Sequence, residues 1–219
     1  YGNTGLMEIP NARFMPEATL RFNFSSSWPN EYTSLTASPF KWMEATYRYV
    51  EMKNQDYGPV SYSGNQTFKD KGFDVKALIG KETYFFPAIA IGLRDIAGTG
   101  LFASEYIVAS KKIGHLDISL GLGWGDLGNA NNISNPFTSI DERFKNRSYD
   151  PSQEGGTFRS NNWFSGPTSL FGGLEYSLPK RGLKLKLEYD TSYPDIEREN
   201  FGSARPPVEV KSIFMEIIC

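Results

Sequence analysis

Apolar and polar residues alternate along much of this chain. Between Leu116 and Gly125 every second place is taken by Leu116, Ile118, Leu120, Leu122 or Trp124, with Asp117, Ser119, Gly121, Gly123 and Gly125 between them. A period of two over ten residues predicts a β-strand with one apolar and one polar face. Half-buried strands of soluble domains run about five or six residues, whereas crossing a bilayer at a tilt takes about 9–11. The same period recurs at Thr19 to Phe24, where Leu20, Phe22 and Phe24 oppose Arg21 and Asn23. At Lys41 to Met52, Met43, Ala45, Tyr47 and Tyr49 oppose Glu44, Thr46 and Arg48, and at Phe73 to Lys81, Phe73, Val75, Ala77 and Ile79 oppose Asp74 and Lys76. Ala88 to Arg94 places Ile89, Ile91 and Leu93 outward and Ala90, Gly92 and Arg94 inward. Leu101 to Lys111 carries apolar residues on both faces. Its lipid face is assigned to Phe102, Tyr106 and Val108, because Glu105 falls on the other side. Leu170 to Leu178, Leu183 to Asp190 and Val208 to Ile217 complete about nine strands.

The connections alternate as well. Residues 25–39, 54–72 and 129–162 read as polar loops, the last being the longest, while 112–115 and 179–182 read as short turns. A structureless stretch as long as 129–162 counts against a compact soluble domain, but outer-membrane barrels combine long outer loops with short periplasmic turns. The predicted fold is therefore all-β, an antiparallel transmembrane β-barrel of outer-membrane type, whole or as an incomplete part of a larger barrel. Residues 1–18 form an irregular lead-in packed in the barrel mouth, and 19–219 form the barrel segment. An odd set of about nine strands points to the incomplete form, with two edges that need partners.

Composition adds limits. Of the 219 residues, 21 are glycine, 15% are aromatic and 22% are charged, which fits β-structure with many turns. The net charge of -2 disfavours a nucleic-acid partner. The longest apolar run, Phe85 to Leu93, is interrupted by Pro87 and falls far short of the roughly 20 residues of a membrane helix. Barrel strands hide their lipophilicity in alternation, so the negative mean hydropathy excludes neither a membrane nor water. One cysteine, Cys219, leaves no internal disulfide. The start at Tyr1 carries no leader and reads as a mature or trimmed N-terminus. Four Asn-x-Ser/Thr sites, at Asn23, Asn65, Asn132 and Asn146, are what chance gives in an Asn- and Ser-rich chain.

Candidate chemistry is sparse. Gly123 to Gly128 fits G-x-G-x-x-G, but Asn129 to Asn132 does not open a helix, so inner-wall space for bulky neighbours explains the glycines better. His115 is the only histidine, and neither a triad nor a zinc site can be built on it. No catalytic residue, metal site or cofactor is expected. Arg94, Asp95, Glu105, Glu175 and Glu188 read as lumen charges, paired across strands or lining a glycan path. Glu175, Glu188 and Asp190 as a glycosidase set is the weaker reading. Trp42, Tyr47, Tyr49, Trp124 and Trp163 read as girdle aromatics, with Trp163 and Phe164 as rival sugar-stacking platforms.

Four stretches carry a family resemblance: GLMEIPNARFMPEATLRFNFS, IGLRDIAGTGLFASEYIVASKKIGHLDISLGLGWGDLG, FSGPTSLFGGLEYSLP and LKLKLEYDTSYPDIE. In that order they resemble the YjbH family, outer-membrane proteins linked to exopolysaccharide production. Its members are considerably longer, so the match is to their N-terminal part. The tail from Glu209 to Cys219 lacks the aromatic end signal of barrels, which reads as a truncated or altered end. The resemblance implies a barrel in the bacterial outer membrane that serves exopolysaccharide or capsule secretion or assembly as a pore or docking platform. It implies membrane lipid, polysaccharide and other proteins of an exopolysaccharide operon, or a further barrel segment, as partners. It carries over no catalytic residue. The alternative is a glycan-binding β-protein of the cell surface; a carbohydrate-active enzyme is the weakest reading.

Overall fold

The computed structural model describes residues 4–98, 100, 102–148, 160–178, 183–192 and 212–217. Ten strands form one sheet: β1 (Thr19–Ser27), β2 (Asn30–Phe40), β3 (Met43–Asp56), β4 (Thr67–Gly80), β5 (Ala88–Arg94), β6 (Ser104–Ile113), β7 (Leu116–Gly125), β8 (Thr168–Leu178), β9 (Leu183–Tyr189) and β10 (Ser212–Ile217). Each pairs antiparallel with its neighbour in chain order, so the sheet is a simple meander. Among the described residues no pairing joins β1 to β10, and the sheet is not closed. Among the described residues no helix is long and apolar enough to cross a membrane.

The sheet is inside out. Its outward face is apolar: Leu20 and Phe22 are 68% and 69% exposed, and Leu35, Tyr47, Phe73, Ile79, Leu120, Leu174, Tyr176, Leu185 and Leu187 follow on successive strands. Its inward face is polar and buried, with Ser34, Thr36, Ser38, Glu44, Thr46, Arg48, Asp70, Asp74, Lys76, Arg94, Ser110, Ser119 and Glu188. A water-soluble sheet shows the opposite arrangement. Because side chains alternate strictly along a strand, the period of two sets both faces at once.

The N-terminal segment lies against the inward face. Leu6 N–H donates to the Ile9 carbonyl at 3.0 Å and Gly5 bridges to Pro10, which closes a tight turn. Leu6, Ile9 and Ala12 pack with Ala88, Ala90, Tyr106, Val108, Leu127 and Phe171 in one apolar cluster. The glycines of β7 make room for these neighbours: a Cβ on Gly121 would lie 2.4 Å from the Phe171 ring, and one on Gly123 2.5 Å from Leu127 Cβ.

The connections sort by end. Among the described residues, 41–42, 81–87 and 114–115 lie at one end, and 57–66, 95–98, 126–148 and 160–167 lie at the other with the tight 28–29 turn. The expected loop 54–72 is shorter, since β3 runs to Asp56 and β4 starts at Thr67. Residues 25–39 are not a loop. They carry the end of β1 and most of β2, joined by the turn at Trp28–Pro29. Among the described residues there are therefore ten strands where about nine were expected.

The face of β6 is also corrected. Phe102, Tyr106 and Val108 are completely or almost completely buried on the inward side, where Tyr106 and Val108 meet the N-terminal segment, and Ile107 and Ala109 face outward. The expected last strand begins at Ser212, and its first positions, like Cys219, lie outside the described residues.

Candidate functional site

The inward face holds the N-terminal segment mainly through its backbone. Glu188 on β9 accepts the consecutive amides of Met7 (3.1 Å), Glu8 (3.1 and 3.3 Å) and Ile9 (3.4 Å). Successive N–H groups converging on one carboxylate form an anion nest. Lys186, also on β9, donates to the Leu6 carbonyl at 3.3 Å. On β4, Lys76 donates to the carbonyls of Thr4 (3.1 Å) and Arg13 (2.6 Å), and its Nζ stands 3.0 Å from Glu44 of β3. Glu44 in turn accepts the Met15 amide at 2.6 Å and the Thr4 hydroxyl at 2.9 Å. Arg94 of β5 donates to the Glu8 carbonyl at 2.8 Å, and Ser110 of β6 accepts the Ala12 amide at 2.8 Å. Contacts from β3 through β9 thus converge on one short peptide. A cavity of about 10 Å³, the size of a single water, remains between Glu44, Thr46, Asp74, Val75, Lys76 and Tyr106.

Two charged clusters flank this centre. At the short-turn end, Arg13 donates through Nε and Nη2 to Asp117, both at 2.8 Å, and through Nη1 to Glu82 at 2.5 Å. Burial alone would raise the Glu82 carboxyl, but the Lys112 amide and Arg13 hold it below its usual value. At the other end, Asp95 adopts a left-handed backbone (φ 55°) and organises the 95–103 turn. Its carboxylate accepts the amides of Gly100 at 3.0 Å and Phe102 at 3.3 Å, while its own N–H donates to Asp74 at 2.9 Å. Burial, with Asp70 and Asp74 nearby, pushes the Asp95 carboxyl up to about 6 against the opposing pull of Arg48. Arg48 lies 3.9 Å from Asp74 and 4.9 Å above the Phe102 ring.

The expected lumen charges divide. Arg94 and Glu188 both hold the N-terminal segment, and Asp95 builds its turn. Glu175 lies on the inward face near the short-turn end, paired with Lys184 at 2.9 Å and Lys186 at 3.8 Å. Glu105 is not a lumen charge. It stands opposite Trp124 on the outward face, buried where Arg147 and Phe164 of the loop after β7 fold over it. Arg147 clamps both of its oxygens, at 2.7 and 3.0 Å, and the Phe164 amide adds a third contact.

Trp124 is fully buried beneath the same loop, stacked on Phe137 at 5.4 Å and edge-on to Phe164 at 5.1 Å, so it is no girdle residue. Trp42 is half exposed at the 41–42 turn and stacks on Phe40. Tyr47 and Tyr49 lie within β3 rather than at its end, Tyr47 against Phe73 at 5.3 Å, and Trp163 is half-buried in the long loop. The strongly exposed rim aromatics are others: Tyr84, Phe85 and Phe86 at the short-turn end, and Trp28, Tyr57 and Tyr62 at the long-loop end.

Glu44, Lys76, Ser110 and the N-terminal backbone were absent from the sequence candidates. Glu44 and Lys76 sit on the polar side of alternating strands, which was their one legible signal. Among the described residues no group of three or more His, Cys, Asp or Glu side chains is arranged to hold a metal ion.

A family model described as "Exopolysaccharide biosynthesis protein YbjH" matches residues 1–209. The chain is 42% identical over 193 residues to a protein of Escherichia coli (strain K12) named "Uncharacterized lipoprotein YjbH", a match covering 87% of this chain and 27% of that protein. The chain thus spans about a quarter of the length of that curated relative. No solved structure matches. With the family model matched over residues 1–209 and the relative 42% identical over 87% of this chain, the chain belongs to the YjbH family of exopolysaccharide biosynthesis proteins.

Proposed function

We propose that this chain forms part of the wall of an outer-membrane β-barrel that serves exopolysaccharide secretion or assembly as a pore or docking platform. The observation that carries the reading is the inverted sheet: apolar side chains point outward along β1 to β9, while ionic and hydroxyl groups are buried inside. In water such an outer face is a large unpaired apolar surface, whereas in a bilayer it is the solvated one. Strands β2, β3, β4, β6, β7 and β8 each have ten or more residues, enough to span with a tilt. The exposed aromatics at both ends, Tyr84 to Phe86 and Trp28 with Tyr62, suit the two headgroup levels.

The free edges of β1 and β10 would be paired by further strands, since an open edge is not tolerated in hydrocarbon. The short span of the chain relative to its E. coli relative leaves ample sequence for those strands. That relative's lipoprotein name fits a place at a membrane of the cell envelope. Lipid, polysaccharide and other exopolysaccharide proteins are the partners of this reading, which assigns the chain no turnover of its own. The rival reading, a surface glycan binder stacking sugars on Trp163 and Phe164, is weakened at Phe164, whose ring is engaged by Trp124 and Phe137. Membrane fractionation with gel mobility before and after boiling tests the proposal. Recovery in the outer-membrane fraction with a heat-dependent shift supports it, and a soluble protein without a shift contradicts it.

A further inference from the structure

We infer that the N-terminal segment, residues 4–16, is an internal plug that occupies a glycan-binding track along the inner wall and is displaced by the glycan. The inference rests on the barrel reading. Its basis is the kind of contact that holds the segment. Glu188, Lys76, Lys186, Arg94, Glu44 and Ser110 all bind main-chain amides or carbonyls of residues 4–15. Groups that grip a backbone grip any chain with donors and acceptors at suitable intervals. A polysaccharide offers them as hydroxyl, ring and glycosidic oxygens, with both donor and acceptor character.

The track mixes signs. Lys76 faces Glu44 at 3.0 Å and Lys186 faces Glu175 at 3.8 Å, while Arg94 and Glu188 add one charge of each sign. Such a lining neither repels nor traps a polymer of one sign, and it fits a neutral or weakly charged glycan. The apolar contacts of the plug are those of Leu6, Ile9 and Ala12 in the central cluster, with Phe14 packed against it. Most of what holds it is polar and exchangeable.

The test uses the full-length protein, including the strands that pair the free edges of β1 and β10, in liposomes, with neutral maltodextrins as the probe. Flotation of the wild-type protein with the liposomes checks the barrel reading itself. Failure to float sinks that reading and the plug with it. With flotation established, osmotic swelling in maltodextrin is compared between wild type, a deletion of residues 4–16, and the double variant Lys76→Met, Glu188→Gln, which keeps the full length. Slow wild-type swelling that rises at least several-fold in the variants supports the plug. Swelling equal in all three overturns it and leaves the barrel standing.

A second measurement does not need the variants to fold. Ala12→Cys in a Cys219→Ser background is reacted with a water-soluble maleimide. Ala12 is buried against Ser110, so labelling is slow, and maltodextrin should raise the rate several-fold by competing for the wall. A labelling rate unchanged by maltodextrin overturns displacement.

Discussion

Glu188 receives the amide of Glu8 on both carboxylate oxygens, at 3.1 and 3.3 Å, across 180 positions of sequence. This contact ties the N-terminal segment to the ninth strand, across the inward face of the wall. Replacing Glu188 by Ala leaves the half-buried amides of Met7 and Glu8 and the buried amide of Ile9 without their acceptor. The expected cost is about 2–4 kcal/mol, from groups each worth about 1–3 kcal/mol when stranded. Amide hydrogen exchange checks it: protection is lost at residues 6–12 while β6 and β7 retain theirs.

The Lys76–Glu44 pair gives a second outcome. Both side chains are almost fully buried and 3.0 Å apart. Lys76→Met abandons a buried carboxylate, for which about 3–5 kcal/mol is expected. Adding Glu44→Gln restores part of that loss, because the neutral amide needs no cation, although the contact to Met15 weakens. By contrast, Arg13→Ala breaks ion pairs whose side chains are about a quarter exposed, and about 1 kcal/mol or less should follow, shrinking with salt. The temperature at which the heat-dependent gel shift occurs ranks the three variants.

Asp95 sets a pH dependence. Its folded-state pKa of about 6 lies above the ordinary 3.8, so the folded chain holds this proton more tightly than the unfolded chain does. The destabilisation is absent below the unfolded value, grows as pH climbs from 3.8 to 6, and is complete above that. The 95–103 turn therefore weakens from ~pH 4 to ~pH 7, by at most about 3 kcal/mol. Asp95→Asn should flatten this part of the profile, read as the midpoint of the heat-dependent shift against pH. A wild-type midpoint that rises over that range contradicts the assignment.

Trp124 holds the long loop to the outer wall. Trp124→Ala removes the stack on Phe137 and the edge contact to Phe164, with a loss of about 3–5 kcal/mol expected for a fully buried ring of this size. The loss is local, since the strand pairing of β7 is backbone-borne. Limited proteolysis should cut within residues 126–148 of the variant and leave the strands intact.

What could be read from the sequence follows from where contrast exists between the two faces. β7 and β9 set large apolar residues against small or polar ones at every step, β5 sets Ile89, Ile91 and Leu93 against Ala88, Ala90, Gly92 and Arg94, and their faces were legible. β2 was hidden because its inward residues are Ser34, Thr36 and Ser38 and its outward ones include Thr33 and Ala37, so the two faces scarcely differ in polarity. β6 failed in the opposite way. Tyr106 and Val108 are apolar on the inside because they pack against Ile9 and its neighbours, a contact set by the fold. Glu105 and Trp124 were misplaced for a shared reason: the loop that follows β7 folds back over them, and alternation carries no record of what lands on a face. The backbone-directed grip on the N-terminal segment was equally out of reach, because residues 4–16 contribute amides and carbonyls that every sequence possesses.

Fluorophores placed singly along β7, in a Cys219→Ser background, and exposed to lipids carrying a nitroxide quencher in the acyl chain test the inverted wall most directly. Leu120 is 55% exposed on the outward face and Ser119, one residue away, is 3% exposed on the inward face. A lipid-facing wall requires strong quenching at 118, 120 and 122 and weak quenching at 117, 119 and 121, a period of two in lipid contact. Uniformly weak quenching at all six positions would mean that the apolar face meets protein or water, and that this chain is not the wall of a membrane barrel.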